Sequence, residues 1–231
     1  MKKFKFLTFL FLLVFSFSIA QTGAKSILEK NRYILENQEI TTEEKKEEFG
    51  YPYYPVSDKQ LAEYIGKKYK KFRGITEDEE VVNIKDLIDG KPAVLIFFAI
   101  GDKPGTFDFL PHMNKLYEKY KDKVVFVAVL LSRSDKEEVQ ELKSLLPLKI
   151  PVIRAYNEAI SRYKITKLDV PYLVFIDKNG KIKHILLRPE SEMIKESPKV
   201  EHPEYRGKTQ EERIKMSLKT IEKYIKEIIE E

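Results

Sequence analysis

The sequence contains no cysteine and no tryptophan, and only three histidines among 231 residues. Without cysteine the chain cannot form a disulfide, a thiolate nucleophile, a thiolate zinc site or an iron–sulfur cluster. Glycine and proline are sparse, at nine and eleven residues, which excludes a collagen-like or fibrous chain. A strong excess of one charge is also missing. The formal charge is +5, from 42 basic and 37 acidic residues. Lys2, Lys3 and Lys5 lie in the first twenty positions, where there is no acid; without them 39 basic residues face 37 acidic ones, a net charge of +2. The remaining charges alternate in mixed Lys/Glu runs with no concentrated basic face, so nucleic acid is not an expected partner. No phosphate-binding glycine motif, nucleophile elbow or metal-ligand spacing occurs, and no cofactor is expected. His112, His184 and His202 fall in a helix, a strand and a loop, without ligand spacing; His112 reads as a surface or partly buried histidine rather than a base.

What is present is enough apolar content, 42%, for one packed domain of roughly 150–200 residues with extensions. The N-terminus starts basic and runs into Phe6-Leu7-Thr8-Phe9-Leu10-Phe11-Leu12-Leu13-Val14-Phe15, then places small residues at Ser18 and Ala20. Residues 1–20 therefore read as a signal peptide, cleaved before Gln21, and the protein as exported to the periplasm or the extracellular space. The apolar stretch is shorter than the roughly 20 residues that cross a bilayer comfortably. The alternative is an uncleaved anchor, the one route by which the chain would touch a membrane.

Residues 21–72 read as an N-terminal extension. It comprises a polar arm, the aromatic–proline patch Tyr51-Pro52-Tyr53-Tyr54-Pro55, and a helix over 57–72 capped by Ser57, with Leu61, Tyr64, Ile65 and Tyr69 near one face. From residue 73 strands and helices alternate. Val81–Ile84 is a short strand and Asp89–Pro92 a turn. Ala93–Ala99 and Val124–Leu131 are continuous apolar runs, the mark of strands buried on both faces. Between them, Gly101-Asp102-Lys103-Pro104-Gly105-Thr106 leads into a helix carrying Phe109, Met113, Leu116, Tyr117 and Tyr120, which Pro111 kinks by removing a backbone donor. Ser134 and Glu137 form a capping box for a helix that ends near Pro147 and turns Val139, Leu142, Leu145 and Leu146 inward. A short strand at 151–153 and a short helix at 155–163 follow. Lys178-Asn179-Gly180 between Pro171–Asp177 and Lys181–Leu187 is a hairpin signal. Residues 188–208 are a polar loop, and a long helix starts at Thr209. Thr209 and Glu212 make its capping box, and Ile214, Leu218, Ile221, Ile225 and Ile228 make its apolar stripe.

Over residues 73–187 this order of elements resembles a thioredoxin fold, and in detail the redoxin branch of TlpA-like thiol–disulfide reductases, with peroxiredoxins as more distant relatives. Lys85–Pro92 before the first apolar strand, Leu110-Pro111-His112-Met113-Asn114-Lys115-Leu116-Tyr117-Glu118-Lys119-Tyr120, and Asp169-Val170-Pro171 before Tyr172–Asp177 carry the resemblance. It implies an α/β chain with a central mixed β-sheet flanked by α-helices, an N-terminal extension, and residues 188–231 added as a loop and long C-terminal helix. It also implies a cis peptide bond before Pro171. Relatives hold a Trp-Cys-x-x-Cys segment between the first apolar strand and the kinked helix. Counting back from Pro111 puts the two cysteines at Lys103 and Thr106; counting forward from Phe98 and Ala99 puts them at Asp102 and Gly105. Neither register holds sulfur, so the catalytic residues do not carry over and none is assigned.

What the resemblance leaves is a degenerate active-site loop, Asp102, Lys103, Pro104, Gly105 and Thr106. Beside it lies a peptide-binding groove formed by Phe107, Val170, Pro171 and Tyr172. Backbone N–H groups near Thr106, with Lys103, would suit an anion; the plainer reading is a tight turn with Thr106 as helix cap. The backbone at Val170 would pair with an extended peptide, and Phe98 is expected in the core. Three functions stay open: a protein- or peptide-binding or accessory module of an envelope redox or assembly system, a redoxin-family oxidoreductase (thiol–disulfide or peroxide) with a non-thiol or partner-supplied mechanism, and a structural assembly subunit.

Overall fold

The computed structural model describes residues 61–100, 105–165, 169–191 and 202–230, with residues 105 and 106 described in their backbone only. Among the described residues, seven strands form one mixed sheet: β1 (Arg73–Thr76), β2 (Val81–Asn83), β3 (Ala93–Phe98), β4 (Val125–Leu130), β5 (Val152–Arg154), β6 (Tyr172–Ile176) and β7 (Ile182–Leu187), in the order β2-β1-β5-β4-β3-β6-β7. β3 pairs parallel with β4, and β4 with β5; β3–β6, β6–β7, β5–β1 and β1–β2 are antiparallel.

The apolar runs explain the layering. Side chains alternate across a strand, so β3 sends Val94, Ile96 and Phe98 into one core and Ala93, Leu95 and Phe97 into the other. β6 divides likewise, with Leu173 and Phe175 on the first side and Tyr172, Val174 and Ile176 on the second. Helices α2 (Met113–Tyr120), α3 (Lys136–Leu145) and α5 (Gln210–Glu230) cover the first face. Helices α1 (Ile84–Ile88) and α4 (Tyr156–Tyr163), with Tyr64 and Phe72, cover the second. This is the expected α/β class: a mixed sheet between helices, closed by a long C-terminal helix.

Several local expectations are corrected. The helix expected over 57–72 does not form across its described part: after residue 62 the chain turns, and Gly66, at φ +79°, redirects it. Residues 66–69 then run along the hairpin edge, with Gly66 N–H donating to Ile182 O (2.8 Å), Ile182 N–H to Lys67 O (2.8 Å) and Tyr69 N–H to Gly180 O (3.0 Å). Donors satisfied by a neighbouring strand outweigh a weak helical pattern. Strand β1 has no apolar run to announce it; it exists because both its edges are paired, and Gly74 fits there because a Cβ would meet Arg154 O and Ile153 Cδ1 at 3.0 Å. The capping box of α3 sits one residue later than expected: Asp135 Oδ1 accepts from Glu138 N–H at 2.8 Å, and Glu138 Oε2 accepts from Asp135 N–H at 3.2 Å. Leu145, also expected inward, is 45% exposed, while Val139, Leu142 and Leu146 are buried.

The polar stretch after β7 is also more than a surface loop. Arg188, Glu190 and His202 are buried; His202 Nε2 donates to Leu187 O at 2.9 Å, and Arg213 Nε to Glu190 O at 2.9 Å. Tyr205 Oη and Ser217 Oγ share a hydrogen bond of 2.6 Å, and Ser217 also bonds Pro189 O. The stretch is thereby stitched to α5, whose capping box, Thr209 with Glu212, forms as expected. Residues 1–20, expected as a signal peptide, and the aromatic–proline patch lie outside the described residues.

Candidate functional site

Ligands of open α/β sheets gather beyond the carboxyl ends of the parallel strands. Here that end is built by β3 and β4. Leu131 N–H donates to Phe98 O (2.9 Å) and Ile100 N–H to Ser132 Oγ (3.0 Å), locking the two strand exits together. Because β6 runs antiparallel to β3, with Tyr172 opposite Phe97, the loop before β6 lies at the same end. The loop after β3, the head of the kinked helix and the proline loop therefore converge by topology.

The helix head is not a regular α-helical start. Gly105–Phe109 forms a π turn, Leu110–His112 a 3-10 turn with Pro111 at its beginning, and only at Met113 does the α-helix begin. The proline lacks the N–H that a continuous helix would need there. Phe109, Leu110 and Met113 are fully buried and fix the head to the sheet, leaving Phe107 half-buried and Asp108 and His112 exposed. Where an anion-holding arrangement is expected near Thr106, the described backbone is a five-residue π turn. Asp102, Lys103 and Pro104 lie outside the described residues, as does the side chain of Thr106.

At the proline loop, the Val170–Pro171 bond is cis. The Pro171 carbonyl accepts from Arg188 N–H at 2.8 Å, so the first residue past β7 holds the loop in place. Val170, Pro171 and Tyr172 are buried. Tyr172 does not line a groove as expected. Its ring packs edge-on against Phe97 (5.8 Å) and Tyr163 (6.4 Å) in the second core, because the first residue of β6 points to that face. Burial raises its phenol well above the ordinary 10.0, and the Asp169 carboxylate, itself buried, adds to the rise. Tyr163 is raised too, chiefly by burial, although its oxygen accepts from Lys70 N–H at 3.1 Å. Phe98 is core, as expected. Of the four residues expected in the groove, Phe107 keeps side-chain surface, while Val170 and Pro171 are buried and the Pro171 carbonyl is taken by Arg188.

Sequence reasoning missed one wall. The first turn of α5 reaches the helix head, and Gln210, Glu211 and Ile214 line a cavity with Phe107, Asp108 and His112. The signal that points to it is Ile214, the first member of the apolar stripe, whose core contact draws the start of α5 to this end. Among the described residues no cluster of three His, Asp or Glu could hold a metal ion, and no helix is long and apolar enough to cross a membrane.

Against known proteins, the AhpC/TSA family matches residues 65–185, more than half of the chain. The thiol-disulfide oxidoreductase ResA of Bacillus cereus is 33% identical over 119 residues, covering 51% of this chain and 66% of that protein. ResA of Bacillus anthracis matches over the same extent at the same identity. The chain thus spans just under two thirds of these relatives' length. A putative protein disulfide isomerase from Bacteroides thetaiotaomicron shares the fold, at TM-score 0.54 and 17% identity over 72% of this chain and 91% of that one.

Proposed function

This chain belongs to the AhpC/TSA family, and from that premise we propose that it is an exported, sulfur-free member that binds an extended peptide or protein segment and performs no thiol exchange of its own. The observation that carries the reading is the complete absence of cysteine in a chain of this family. Thiol–disulfide exchange and thiol peroxidation both begin with a thiolate, and no other side chain supplies one. The basic-then-apolar residues 1–20 support export.

Binding would use the half-buried ring of Phe107 and the backbone beside Pro171. The scaffold's relation to ResA at 33% identity supports a place beside envelope redox or assembly proteins. It also keeps a second reading, an oxidoreductase that borrows a partner's thiol. One experiment separates them. Labelled extended peptides titrated against the protein are expected to bind, and Phe107→Ala to weaken them roughly tenfold, the worth of one partly buried aromatic contact. In parallel, insulin disulfide reduction by a small dithiol reductant, which stands in for a partner's thiol, should run no faster with the protein than without it. Reduction above that rate would overturn the reading.

A further inference from the structure

We propose that the cavity between the helix head and the first turn of α5 docks a partner polypeptide segment presenting an apolar side chain next to a lysine or arginine. The inference rests on the peptide-binding reading above and adds a wall and a chemistry to it. The cavity holds about 370 Å³ and is lined by Phe107, Asp108 and His112 on one side and Gln210, Glu211 and Ile214 on the other. That is near the lower end of the range for ligand clefts, roughly 300–1,000 Å³, and suits a side chain or two rather than a cofactor.

Its floor is apolar and fixed. Ile214 belongs to the first core and Phe107 packs against it, so the floor is preorganised and a docking side chain pays little to order it. Its rim is acidic. Asp108 and Glu211 are exposed carboxylates, one from each wall, and no lysine or arginine is among the described lining residues. Each acid stands in the first turn of its own helical element, where an acid is favoured on helical grounds alone. Those grounds do not account for two carboxylates on one open cleft beside the Phe107 and Ile214 side chains. An anion would meet both carboxylates, and a bare cation would leave the floor wet. An aliphatic or aromatic side chain beside a basic one satisfies floor and rim together, and the Gln210 amide can bond the peptide backbone between them.

The test uses labelled peptides of one length with blocked termini, differing only at a central pair: Leu-Lys, Leu-Arg, Leu-Glu or Ala-Lys. By fluorescence anisotropy the first two should bind at least roughly tenfold more tightly than Leu-Glu, and more weakly as salt rises. Asp108→Asn with Glu211→Gln should weaken Leu-Lys about fivefold, the scale of two exposed ion pairs, and abolish the preference over Leu-Glu while the circular dichroism melt is unchanged. Peptides that bind without a basic preference, or a double variant that leaves Leu-Lys unaffected, would overturn this inference and leave the broader peptide reading standing. If no peptide binds, both fall. A dimer by light scattering that the double variant dissolves would give the cavity to a second copy and overturn the proposal.

Discussion

Ile225 is the residue on which the attachment of α5 is most directly tested. It lies in the apolar stripe of the helix, has no exposed surface, and sits in the first core with Ile221 and Ile228. Ile225→Ala removes three carbons from that core, about 2.4 kcal/mol at roughly 0.8 kcal/mol each. The cavity left behind adds a further amount of order 1 kcal/mol, and the better helix propensity of alanine returns about 0.4 kcal/mol. The expected net loss is about 3 kcal/mol, a large share of the 5–15 kcal/mol typical of a domain. With a urea slope of about 2 kcal/mol per molar, the unfolding midpoint should fall by about 1.5 M without a change of slope.

The measurement is equilibrium urea unfolding followed both by far-ultraviolet circular dichroism and by tyrosine fluorescence, since the chain has thirteen tyrosines and no tryptophan to mask them. The two transitions should coincide, because the helix and the sheet share one core. Lys226→Ala, one position on, removes an exposed side chain 3.8 Å from Glu222 and should move the midpoint within the noise of a surface change. A loss below about 1 kcal/mol for Ile225→Ala, or an early separate transition in circular dichroism, would refute the packing of α5 on the sheet. It would take the wall of the proposed docking cavity with it.

Two further predictions concern the second core and the helix head. Tyr163 and Tyr172 have phenols raised above 10.0 in the folded chain, so their neutral forms are favoured by folding; that contribution is complete below pH 10 and is lost as the pH rises through their folded values. Ultraviolet titration of phenolate should show these rings ionising only together with unfolding, and reversible ionisation of all thirteen tyrosines in the folded state would contradict their burial. Restoring a cysteine pair, as Lys103→Cys with Thr106→Cys or as Asp102→Cys with Gly105→Cys, should create insulin-reducing activity in one of the two registers and none in single-cysteine controls. Inactivity of both pairs would mean that the loop at this helix head no longer has the shape that thiol exchange needs.

What could be read from residues alone follows from where the determining interactions lie. β3, β4 and the β6–β7 hairpin are legible because unbroken apolar runs and Asn179-Gly180 state burial and turning locally. Strand β1, Arg-Gly-Ile-Thr, is not, since its identity comes from partners on both edges and from room for Gly74 against Arg154. Arg188, Glu190 and His202 look like solvent-facing loop residues, yet they are buried, held by bonds from Arg188 to Pro171, from His202 to β7 and from α5 to Glu190 that no local pattern encodes. At the site, Pro171 and the kink at Pro111 were visible. Tyr172 was misassigned because the first residue of a strand can face either side, and only the register with Phe97 decides which.

The same contacts explain how the scaffold persists without sulfur. The helix head is held by Phe109, Leu110 and Met113, the strand exits by the Ile100–Ser132 bond, and the proline loop by Arg188. None of these anchors involves the loop positions where relatives keep their cysteines. Thiol chemistry and groove architecture are therefore separable in this fold, and losing the first need not cost the second. In the proposed binding role, the long C-terminal helix changes what the groove would recognise. Its first turn brings Glu211 and Ile214 to a head that alone would offer Phe107, Asp108 and His112. In the proposed binding role, an acidic rim beside the Phe107 and Ile214 side chains would discriminate between peptides by charge. A reactive loop discriminates by the disulfide it can attack.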